Sequence, residues 1–150
     1  MKERTETRVG ISVRGPEVEP SDVARVLGLQ AEASHRRGDA FEDARGGVAY
    51  RDDGWCTFTS DGVIARDAGF EFHAAWMLDR LEPHIEVLES WTGKGWLVVL
   101  TITTVTNLNN GGPRASPTIM RRLGALSLTT QWRTICAPEH TGFRPTSGAH

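Results

Sequence analysis

Cysteine is scarce in this 150-residue chain: it occurs only at Cys56 and Cys136, and neither belongs to a CxxC pair. That excludes a disulfide-rich scaffold, and each thiol sits in a strand-like run where it reads as a small buried hydrophobe. The histidines at 35, 73, 84, 140 and 150 include no i,i+4 pair. No local tetrahedral metal site follows, and no cofactor is expected. No run of eighteen apolar residues occurs, and the charged start "MKERTETR" lacks the pattern of a signal peptide, so no membrane contact and a cytoplasmic address are expected. Seventeen basic side chains against nineteen acidic ones give a net charge of −2, which supplies no sequence-wide pull toward nucleic acid.

Catalytic signatures are also missing. There is no G-x-S-x-G, no H-E-x-x-H, no G-x-G-x-x-G and no P-loop ending, so the chain names neither a nucleophile nor a nucleotide cradle. Glu71, Asp79, Glu82 and Glu86, with His73 and His84 among them, fall opposite an apolar stripe and read as a solvated helix face. No catalytic residue is assigned. The five tryptophans read as core anchors or a surface cluster, because basic interleaving is sparse and no RNA-binding aromatic motif occurs.

What remains is a patterned α+β chain. "TRVGISVRG" alternates, with Val9, Ile11 and Val13 on one face and Arg8, Ser12 and Arg14 off it, which predicts a half-buried strand. "EPSDVARVLGL" predicts a short helix with Pro20 at its first turn, Val23, Val26 and Leu27 on one face, and Gly28 as its stop. Residues 30–47 read as a long charged connection, and "VAYRDDGWCTFTS" as strand that Asp53-Gly54 could split into a hairpin. Apolar positions at three- and four-residue spacing predict the longest helix over 70–88, kinked or restarted at Pro83. "GWLVVLTITTV" predicts a central strand with Val99 buried. Ser116-Pro117 opens another helix, and "LSLTTQWRTIC" supplies the last strand.

Val23-Ala-Arg-Val-Leu-Gly28 and Ile119-Met-Arg-Arg-Leu-Gly124 echo each other between strand-like runs. The expected fold is a two-layer α+β sandwich: a mostly antiparallel, four- to five-stranded sheet with helices on one face, ferredoxin-like with a β-α-β pseudo-repeat. Residues 1–137 are expected to form one domain and 138–150 a flexible tail.

Two loops carry the candidate binding residues. "SHRRGD" offers Ser34, His35, Arg36, Arg37 and Asp39, where paired guanidinium groups suit an acidic partner and Asp39 suits a turn. "NNGGPRASP" offers Asn110, Gly111, Gly112 and Arg114 ahead of a helix, a setting for anion binding or for capping alone.

The blocks "SVRGPEVEPSDVARVLGLQ", "SHRRGD", "HAAWMLDRLEPHIEVL" and "NNGGPRASPTIMRRLGALSL" resemble the DUF4279 family of small bacterial proteins. The family pattern often has an aromatic after the Gly-Gly pair, where this chain has Pro113-Arg114. The resemblance implies no catalytic residue. The expected function is a non-enzymatic protein-binding domain, such as an immunity or accessory protein in a bacterial conflict or regulatory system, with a homodimer as one way to protect sheet edges. The alternative is a small-ligand or anion-binding domain, at most weakly hydrolytic, using loops 34–39 and 109–117.

Overall fold

The computed structural model describes residues 4–107 and 112–136. β1 (Thr5–Gly15) follows the alternation read from its sequence: Val9, Ile11 and Val13 are buried, while Arg8, Ser12 and Arg14 lie on the opposite face. α1 (Pro20–Leu27) starts on its proline and ends at Gly28, whose φ of 64° is the left-handed conformation that glycine adopts without strain. The turn between them crosses β5 (Gly54–Thr59) so closely that a Cβ on Gly54 would lie 1.8 Å from the Val18 carbonyl oxygen.

Residues 30–47 are not a plain connection. They contain β2 (Ala33–His35), which pairs with β5, and β3 (Ala40–Glu42), which pairs with β4 (Val48–Tyr50) in a separate ribbon. Three-residue strands are too short to display a period, which is why the pattern is silent there. The Asp53-Gly54 step does divide its run, but β4 and β5 belong to different sheets rather than to one hairpin.

The long apolar periodicity becomes α2 (Phe70–Leu81), one 3-10 turn at Glu82–His84 carrying Pro83, and α3 (Ile85–Gly93). Pro83 has no N–H for the helical ladder, so the chain tightens and restarts. β6 (Leu97–Thr106), α4 (Pro117–Ala125) and β7 (Thr129–Cys136) complete the described chain.

The main sheet runs β2-β5-β1-β6-β7. β2, β5, β1 and β6 pair antiparallel, whereas β6 and β7 are parallel, so the sheet is mixed and not mostly antiparallel as expected. The reason is the connection: α4 carries the chain back across the sheet, the crossover that parallel neighbours require. β1 and β5 are antiparallel neighbours, so the two Leu-Gly echoes sit in unlike halves and the ferredoxin-like pseudo-repeat does not describe this topology. The α+β class stands. The segment from 138 onward lies outside the described residues.

One cluster joins the buried faces of the four described α-helices to a single face of the sheet: Val9, Ile11 and Val13, Cys56 and Phe58, and Val98, Leu100 and Ile102. Val99 points the other way and is only half-buried, which corrects the expectation that it belongs to the core. An almost uninterrupted apolar run conceals its own parity, and only pairing with β1 reveals which residues face the helices. Cys56 is buried, but Cys136 is exposed on the edge strand, again against expectation.

Candidate functional site

The second face of the sheet takes no part in the core cluster and mixes polar side chains with Trp55, Leu97, Val99 and Val105. Cross-strand register places His35 beside Trp55, Trp55 beside Arg14, and Arg14 beside Leu97 in one row. The next row holds Ala33, Thr57, Ser12 and Val99. His35 Nε2–H donates to Asp53 Oδ1 at 2.8 Å, and the imidazole lies 5.5 Å from the Trp55 ring. Arg14 reaches Asp53 at 3.6 Å and sits 5.8 Å from the centre of Trp55. Its side chain is 49% exposed. Asp53 thus orients an imidazole and a guanidinium around a half-buried indole, leaving one wet cationic edge.

The rest of "SHRRGD" is a tight turn. Asp39 Oδ2 accepts from the Arg36 N–H at 2.7 Å, the Asp39 N–H returns to the Arg36 carbonyl at 3.2 Å, and the Gly38 N–H reaches the Arg51 carbonyl at 2.7 Å. Gly38 has a φ of 88°, and Arg36 and Arg37 are both exposed. Arg36 pairs with Glu19 at 3.0 Å, a surface contact worth little. Ser34 lies in register with Cys56, on the opposite side of β2 from His35. Among the described residues the His35 side chain bonds an orienting carboxylate and no hydroxyl, and the Cys56 thiol is buried with its pKa pushed up to about 11.

The second loop is at the other edge of the sheet. Asn110 and Gly111 lie outside the described residues, while Gly112 and Arg114 are exposed, with Gly112 near Thr134 of β7. The helix start it leads to is already filled. Ser116 Oγ accepts from the Ile119 N–H at 3.2 Å, as an N-cap does. The Glu71 carboxylate accepts from the Ser116 N–H at 2.6 Å and from its hydroxyl at 3.2 Å. A carboxylate of the protein's own thus occupies the place an anion would take at α4. The 34–39 and 112–116 segments, near β2 and β7, are not brought together.

The acidic face of the long helix is put to structural use. Arg122 of α4 bonds Asp79 at 2.7 Å and Glu82 through Nε at 2.8 Å, so with Glu71 these carboxylates tie α4 to α2 and its following turn. His73 is not on that solvated face at all. It is fully buried; Ser60 Oγ–H donates to its Nδ1 at 2.6 Å and its Nε2–H donates to the Ala65 carbonyl at 2.9 Å. Desolvation holds its pKa below the ordinary 6.5. Ser60 also accepts the Val9 N–H at 3.0 Å, so the pair pins the 60–68 loop to β1. Within that loop Arg66 makes two bonds to Asp61, at 2.8 and 3.0 Å, which hold the carboxyl below its usual range.

Sequence reasoning missed Arg14, Asp53 and Trp55 as neighbours of His35. The available signal was parity: Arg14 and Ser12 alternate with the core residues of β1, as Trp55 and Thr57 do with Cys56 and Phe58. Among the described residues, no group of three or more His, Cys, Asp or Glu is arranged to hold a metal, and no helix is long and apolar enough to cross a membrane.

These features define a small α+β domain with a mixed sheet, one face given to the core and the other of mixed polar and apolar side chains. The chain belongs to the DUF4279 family, described as a domain of unknown function, whose match spans residues 5–137. No curated protein matches the chain, and neither does any solved structure.

Proposed function

We propose that this chain is a non-enzymatic binding domain that receives a protein partner on the second face of its sheet, centred on Trp55 and Arg14. The observation that carries the reading is the His35–Asp53–Arg14 arrangement around a half-buried indole, with no hydroxyl or thiol bonded to the imidazole among the described residues. Tryptophan and arginine dominate interface hot spots, because one buries a large apolar area and the other reads carboxylates with a planar fork. Arg36 and Arg37, exposed on the adjoining turn, suit a rim that speeds encounter with an acidic surface. An accessory role, such as immunity in a bacterial conflict or regulatory system, is the setting this reading suits.

The test is affinity purification from the host, followed by reconstitution with each purified candidate. Trp55→Ala is expected to weaken a true complex by about thirtyfold, or ~2 kcal/mol. Arg36→Ala with Arg37→Ala should slow association at low salt while leaving stability within about half a kcal/mol. A reconstituted complex indifferent to Trp55→Ala and Arg14→Ala would overturn the reading.

A further inference from the structure

The two edges of the main sheet are treated differently by the sequence. β2 is three residues long and runs directly into Arg36, Arg37 and Gly38, a short edge stopped by charge and a left-handed glycine. β7 is eight residues long, contains no proline and carries Arg133 as its one charge. Four of its residues are β-branched, Trp132 and Ile135 are each 42% exposed, and among the described residues no strand pairs with its outer edge. Such an edge is a template for another strand.

We infer that β7 pairs antiparallel with β7 of a second copy, about a two-fold axis normal to the sheet that lies midway between Trp132 and its copy. This makes specific the homodimer expected from sequence and does not depend on the partner-binding face proposed above. The argument is one of register. Pairing with β6 puts Thr129, Gln131, Arg133 and Ile135 on one face and Thr130, Trp132 and Thr134 on the other. A two-fold axis at the level of Trp132 sets Trp132 against its copy, Gln131 against Arg133, Thr130 against Thr134 and Thr129 against Ile135. Each pair joins residues of the same face, so outward amides meet outward amides and the edge becomes satisfied.

The pairs are also chemically compatible: aromatic with aromatic, guanidinium with amide, hydroxyl with hydroxyl, and methyl-bearing Thr with Ile. Phe70, 5.5 Å from Trp132, backs the central aromatic pair. Moving the axis to Arg133 sets two guanidinium groups directly opposite one another, and moving it to Gln131 shortens the paired stretch. The centred register therefore excludes its neighbours, and the product is a continuous ten-stranded sheet.

The full-length chain with Cys136→Ser tests this, because the remaining Cys56 is buried. Light scattering should give twice the 16.5 kDa chain mass, falling toward one chain on dilution. In that background Thr130→Cys with Thr134→Cys should form a disulfide-linked dimer on mild oxidation. Either substitution alone should not, since each residue is roughly 13 Å from its own copy in this register. Trp132→Glu should give monomers, and Arg133→Glu, facing Gln131, should not. If Trp132→Glu fails to fold, the cross-linking pattern decides. A single-chain mass at every concentration, or a dimer that the Thr130/Thr134 pair cannot cross-link, overturns the inference; the second outcome includes pairing of β7 with the chain's own C-terminal segment. Neither result bears on partner binding at Trp55, which is read with Trp55→Ala.

Discussion

Replacing Ser60 with alanine removes one oxygen from the centre of a buried polar chain. Its hydroxyl accepts the Val9 N–H at 3.0 Å and donates to His73 Nδ1 at 2.6 Å, and both Ser60 and His73 are fully buried. Neither partner can turn to water once the hydroxyl is gone. An unsatisfied buried group costs about 1–3 kcal/mol, so Ser60→Ala should lose roughly 2–4 kcal/mol of stability. His73→Phe, similar in volume, strands the Ser60 hydroxyl and the Ala65 carbonyl and should cost a comparable amount. Because both changes break the same bond, the double variant should lose less than the sum, by about 1 kcal/mol or more. Urea denaturation of the four proteins at neutral pH measures this cycle.

The same histidine sets a pH signature. Its folded pKa lies below the ordinary 6.5, so above pH 6.5 it is neutral in both states and its contribution is fully present. As pH falls below 6.5 the unfolded chain takes up a proton that the folded chain resists, and stability declines toward the folded pKa. The wild type should therefore lose up to about 1.4 kcal/mol per pH unit more than His73→Phe in that window. A Ser60→Ala protein within half a kcal/mol of the parent, or parallel pH profiles for wild type and His73→Phe, would refute the reasoning.

Three further outcomes follow from packing and exposure. Gly54→Ala places a methyl carbon where the Val18 carbonyl oxygen already lies, so the variant should fail to fold or lose at least about 3 kcal/mol by thermal or chemical denaturation. Val98→Asp, at a position only 1% exposed, should cost several kcal/mol, about 4 or more, whereas Val99→Asp on the half-exposed face should cost about 1; equal losses would contradict the assigned parity. A thiol-reactive dye should label one cysteine of the native chain, the exposed Cys136, and two in denaturant, since burial pushes the Cys56 thiol up to about 11.

Residues whose neighbours are close in sequence were legible without a structure. Alternation in β1 identified Val9, Ile11 and Val13 as core, and Pro20 and Gly28 marked the ends of α1. Pro83 announced the break between α2 and α3, and Ser116 its capping role at α4. Each is a local rule: the pleat, the helical period and the backbone preferences of proline, glycine and serine act within a few residues. Turn chemistry in "SHRRGD" was legible on the same basis, since Asp39 closes on Arg36 three residues away.

What only the tertiary structure decided concerns residues far apart in the chain. Glu71 and Ser116 meet across 45 positions, Arg122 and Glu82 across 40, and Arg14 stands beside Trp55 through strand register. No local period encodes such meetings, so His73 and the acidic residues of α2 and the turn after it looked alike as a solvated face until packing turned one inward and tied three others to α4. The parallel pairing of β7 with β6 was equally invisible, because strand direction is set by where α4 returns the chain. In the apolar run of β6, Val98 and Val99 differ little as side chains. Which of them enters the core is fixed by the strand beside them, a property of the sheet and not of the run itself.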